Sequence, residues 1–144
     1  MPLENFGSIL NFAENLEKQD QDFFATAADN PACADYREMF TQFASDSAKN
    51  VKTVLRTRRE NVTEMILEPI RDFTREPYCE ECAQAGSMGV EDALATAKRL
   101  VDRAERYYTE AAAKIKALPE VARALKTISK KHKAHREKLA ALQS

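Results

Sequence analysis

The chain has no tryptophan, and its 144 residues hold only three glycines, five prolines, three cysteines and two histidines. Glycine and proline together reach about half their usual share. Valine and isoleucine are also sparse, at 6 and 5 residues against 23 alanines, a balance that favours helix over strand. Three thiols are an odd number and do not suggest a disulfide framework. They read instead as free thiols or metal ligands in a reducing, cytoplasmic setting. No apolar run reaches the length of a membrane span. The opening MPLENFGSIL has no basic stretch ahead of its apolar residues and is not expected to be a secretory signal. Lys and Arg number 22 against 23 Asp and Glu, for a formal net charge of -1, which excludes a globally basic nucleic-acid binder.

What is present is helical periodicity in one domain, residues 1–144. Phe6, Leu10, Ala13, Leu16, Phe23, Phe24 and Ala27 recur mostly at steps of three and four, predicting a first helix over about Leu3 to Ala28. It is closed by the turn cluster Asp29-Asn30-Pro31. Tyr36, Phe40, Phe43, Ser47, Asn50 and Val54 predict a second over about Ala34 to Leu67. The stretch from Glu68 to Gly89, with Pro69, Pro77, Gly86 and Gly89, is too broken for a long helix and reads as a connection. A third helix is expected from Val90 to Ala117 and a fourth from Glu120 to Leu142, with Pro119 in its first turn.

Four amphipathic helices can bury their apolar stripes only against one another, so a four-helix bundle is expected. A connection of about twenty residues spans up to ~66 Å when extended, enough to return along the whole bundle. The expected topology is therefore the ferritin-like one, with one long crossover placing helices two and three parallel.

The two halves repeat. Leu10, Ala13, Glu17 and Phe23-Phe24 return 84 residues later as Leu94, Ala97, Val101 and Tyr107-Tyr108. Tyr36, Phe40, Phe43, Ser47, Asn50 and Val54 return 85 residues later as Val121, Leu125, Ile128, His132, His135 and Leu139. At these residues the chain resembles the rubrerythrin branch of the ferritin-like proteins. The Ala13…Glu17…Phe23-Phe24 run matches a first-helix motif of that branch, and Ala97…Val101…Tyr107-Tyr108 matches it imperfectly in the third helix. The Glu-x-x-His motif of its second and fourth helices falls on Ser47-x-x-Asn50 and His132-x-x-His135. The resemblance implies a di-iron core that reduces peroxide or oxidises ferrous iron, an oxidoreductase activity, with four carboxylates and two imidazoles as ligands.

The six matching slots here hold Glu17, Ser47, Asn50, Val101, His132 and His135. Two multivalent cations need bridging carboxylates, and both bridging slots lack one, so an intact di-iron centre is not expected. His132 and His135 share the seam of Leu125, Ile128, Leu139 and Leu142 and should point inward. With Glu17, which the resemblance places opposite them, they could hold one iron or zinc ion. The alternative is a buried hydrogen-bond network, with Glu17 paired to an imidazole and capped by Ser47, Asn50 or Tyr107.

Cys79-Glu-Glu-Cys82 lies in the connection, outside the strand–helix context of a redox CxxC. A crossover would bring it to the pole where Cys33 sits, so Cys33, Cys79 and Cys82 are candidates for a shared thiol site, as zinc ligands or a reversible disulfide. The Lys and Arg residues of the fourth helix are expected on a solvated face. The sequence thus predicts a ferritin-like bundle with a degraded di-iron site, acting as a metal-binding or redox-accessory protein. It is expected to be cytoplasmic and homodimeric, without nucleic-acid or membrane partners. The competing functions are a metal-dependent oxidoreductase of the rubrerythrin type and a purely structural or partner-binding bundle.

Overall fold

The structure, a computed structural model, describes residues 6–60, 78, 86, 88–115 and 118–142. Four α-helices account for most of them: α1 (Phe6–Asp29), α2 (Arg37–Glu60), α3 (Val90–Lys114) and α4 (Pro119–Ala141). Among the described residues there is no strand, and no helix is long and apolar enough to cross a membrane.

Where the expected helix ends fall within the described residues they agree to within a few residues, and the chief difference is the start of α2. Ala34 belongs to a 3-10 segment, Pro31–Tyr36, in which Cys33 leaves helical geometry at φ -106 and ψ 20. Proline suits the first position of that segment because its φ is already fixed and it has no N–H to satisfy. Asn30 caps it, its Oδ1 accepting the Ala32 N–H at 2.9 Å. The Asn30 Nδ2 also donates to the Met88 carbonyl at 2.8 Å, so one buried amide ties the α1–α2 corner to the residues just before α3. The expected extension of the second helix to Leu67 lies outside the described residues.

The apolar core forms two blocks. One joins the first half of α1 (Ile9 to Leu16), Val54 of α2, the second half of α3 (Ala104 to Ala112) and the first half of α4 (Val121 to Ile128). The other joins Phe23 and Phe24 of α1, Phe40 and Phe43 of α2, Ala93 to Val101 of α3 and Leu139 of α4. This distribution fixes the helix directions, with α1 and α4 running one way and α2 and α3 the other. The α1–α2 and α3–α4 neighbours are antiparallel hairpins, each packed along its length.

Between the two blocks each helix contributes buried polar groups. They are Glu17 and Asp20 from α1, Ser47 and Asn50 from α2, Arg103 from α3, and His132 and His135 from α4. The repeated positions all face this interior, with only Tyr36 half-buried rather than buried. Of the seam expected to carry His132 and His135, Leu142, just past the end of α4, is the one residue left exposed.

Candidate functional site

Glu17 is the hub of the polar layer. Its Oε2 accepts from His132 Nε2 at 2.7 Å and from the Tyr108 hydroxyl at 2.7 Å, and its Oε1 accepts from Asn50 Nδ2 at 3.2 Å. One carboxylate therefore draws a partner from each of the other three helices. Three residues from Glu17, and so on the same face of α1, Asp20 accepts from the Arg103 guanidinium at 2.9 Å. Arg103 also donates to Gln19 Oε1 at 2.8 Å. At the rim His135 Nε2 meets Asp46 Oδ2 at 2.9 Å, and Asp46, with its side chain 25% exposed, carries the layer to solvent. The imidazole of His135 stacks on Phe43 at 4.0 Å between centroids, and that of His132 stacks on Tyr108 at 5.7 Å.

The protonation directions follow from these contacts. Burial alone would raise the pKa of Glu17, but the facing His132 charge and the three hydrogen bonds outweigh it and hold the carboxyl below its ordinary range,. Burial would lower His132, and the Glu17 charge and hydrogen bond overcome it and raise the imidazole. The pair is thus poised as carboxylate and imidazolium. His135 goes the other way, because burial prevails over its Asp46 bond and lowers it. Burial also raises Asp20, to about 7, against the counter-pull of Arg103. Tyr108 is pushed well up by burial and by Glu17, which keeps it a neutral donor.

Exchanging the halves of the repeat maps the Glu17 partners Asn50, His132 and Tyr108 onto His135, Ser47 and Phe24, and maps Glu17 itself onto Val101. The Gln19–Arg103 contact joins two positions that the exchange swaps. The polar layer is therefore one occupied half of a pseudo-two-fold arrangement. In the other half an aliphatic side chain, fully buried, stands where the carboxylate would be. Unpartnered buried atoms occur in both halves. Ser47 Oγ and His135 Nδ1 belong to the Val101 half, and Asn50 Oδ1, Asp20 Oδ2, His132 Nδ1 and the Arg103 Nε and Nη1 complete the set.

Of the residues the sequence singled out, Glu17 and His132 are brought together in direct contact, while His135 is turned to Asp46. Among the described residues no group of three or more His, Cys, Asp or Glu is disposed to hold a metal ion. The donor set does not fit a dinuclear centre. Val101 offers no ligand atom, Ser47 and Asn50 carry no charge, and the guanidinium of Arg103 places a fixed cation in the layer. Cys33 is buried in the aromatic block, and burial raises its thiol, which disfavours the thiolate that metal ligation requires. Cys79 and Cys82 lie outside the described residues. Their described neighbour Tyr78 packs on Tyr107 and donates to Glu110 at 2.6 Å, in the block opposite that of Cys33.

Sequence reasoning missed Arg103 and named the wrong tyrosine. Tyr107 donates to the Ile9 carbonyl at 2.6 Å, and Tyr108 reaches Glu17. Arg103 could have been found from its place three residues after Leu100 and one before Ala104 in the α3 stripe. The Lys and Arg residues of α4 are exposed or half-exposed as expected, Arg136 gripping Glu105 with two bonds. No protein-family model, curated protein or solved structure matches this chain.

Proposed function

We propose that the chain is a ferritin-like bundle of the rubrerythrin kind whose dinuclear metal centre has been replaced by side-chain ion pairs. It acts in this reading as a binding or redox-accessory protein rather than as a peroxidase. The observation that carries this reading is the buried Arg103–Asp20 pair, 1% and 0% exposed, beside the Glu17–His132 pair. The layer sets a cation of its own beside each buried acid, His132 beside Glu17 and Arg103 beside Asp20, whose pKa burial raises to about 7, so it does not need two metal ions to neutralise it. The helix directions and the buried repeat support the ferritin-like part of the reading.

The test is elemental analysis of protein purified without chelator, together with thermal melts with and without EDTA. Substoichiometric metal and an unchanged Tm are expected. One equivalent or more of iron or zinc, lost together with stability on chelation, would overturn the proposal. A second reading, a single ion held by Glu17, His132 and His135, requires the His132 and His135 Nε2 bonds to Glu17 and Asp46 to be exchanged for a shared ion. The same measurement separates the two, because His135→Leu would abolish that binding.

A further inference from the structure

Away from the polar core, a groove of about 410 Å³ runs between the second half of α2 and the first half of α4. Arg56 lines it from α2, and Arg123 and Lys131 line it from α4, with Glu120 as the only acid. Its volume is within the range of small-molecule sites. Arg123, Thr127 and Lys131 are four residues apart and so share one face of α4. Arg56 pairs loosely with Glu60, at 3.7 Å with both side chains exposed. Arg123 and Lys131 have no acidic partner among the described residues. The Thr53 and Thr127 hydroxyls are spent on the backbone carbonyls of Lys49 and Arg123, so recognition here rests on the three cations.

The repeat shows that this charge is not a by-product of the helix pattern. Adding the same offset of 85 residues, Asp35 maps onto Glu120, Glu38 onto Arg123 and Asp46 onto Lys131. Three of the equivalent positions at the other end of the α2–α4 face are thus acidic, while Thr53 maps onto Lys138 and Arg56 onto Ala141, so only one of the two duplicated places gathers three cations. Two guanidinium forks and an ammonium lining a small open groove suit an anion with several oxygens carrying more than one charge,.

We propose that this groove binds a small, multiply charged phosphoryl anion, the class represented by pyrophosphate. The proposal is independent of what the polar layer does. Calorimetric titration of the full chain with pyrophosphate tests it, repeated at high salt, where exposed charges are screened. Single-site binding is expected. Arg123→Glu and Lys131→Glu should each weaken it about tenfold or more, the loss of one charge-assisted contact, while Lys133→Glu, outside the groove, leaves it unchanged. Far-UV circular dichroism checks that each variant folds, and Arg123→Gln offers a milder substitution at the same place. Absence of saturable binding, equal losses in Lys133→Glu, or binding of a DNA duplex through the same residues with none of pyrophosphate would each overturn it.

Discussion

Glu17 and Asp20 are both acids on one face of α1 and both fully buried, yet they are pushed in opposite directions, and the difference is a matter of partners. Glu17 has three donors, whereas Asp20 has one cation on Oδ1 and nothing on Oδ2. The stability consequences can be signed. Glu17, lowered, stabilises the fold above its ordinary 4.5, an effect lost as pH falls through its folded value. His132, raised, stabilises below its ordinary 6.5, an effect lost as pH rises through its folded value. Asp20, raised, is most favourable below 3.8 and loses that contribution as pH rises through about 7. His135, lowered, opposes this trend on the acid side. Urea midpoints should therefore fall between pH 6.5 and 8, and a midpoint that rises over that range would contradict the assigned pairing. Glu17→Gln removes the charge facing His132 and should cost about 3–5 kcal/mol, the usual penalty for breaking a buried pair, measured by chemical denaturation. Replacing Asp20 and Arg103 together by Leu and Met should cost far less in the same assay.

At the scale of elements, the helices were legible because the spacing of apolar residues determines which face each one buries. The start of α2 was less so, since apolar spacing does not register the break at Cys33, and the Asn30 amide that caps the segment is also tied to Met88, 58 positions away in sequence. The polar contacts were legible only in part for a similar reason. Spacing places Glu17, His132 and His135 on inward faces, but the rotation and offset of neighbouring helices decide that His135 meets Asp46 and that Tyr108, not Tyr107, meets Glu17. Asn30→Ala should remove both the cap and the tie to α3 at a cost of about 1–2 kcal/mol. Hydrogen exchange should then quicken first in the 3-10 segment and at the start of α3. Exchange that quickens evenly through all four helices would show that the amide has no local role.

For the whole molecule, the pseudo-two-fold relation makes a directed prediction at Val101. Val101→Glu places a carboxylate where the exchange of halves puts a counterpart of Glu17, facing Ser47 and His135. The His135 imidazole, lowered in the present chain, should rise in pKa, read by NMR titration of its ring protons; no movement would show that the two halves are not equivalent there. Without that substitution, iron-loaded protein should turn over peroxide negligibly, and substantial ferrous-dependent turnover would show that other acids complete a centre. The layered interior also governs how the chain finds its alignment. Aliphatic and aromatic contacts tolerate sliding, since one greasy surface resembles the next. Slipping α1, α3 or α4 by one turn, about 5.4 Å, would drive Glu17, Arg103 or His132 into an apolar block and strand its partners. The ionic layer thus works as a notch cut across four rods, and a variant with that layer made wholly aliphatic should collapse readily yet settle into several shifted packings instead of one.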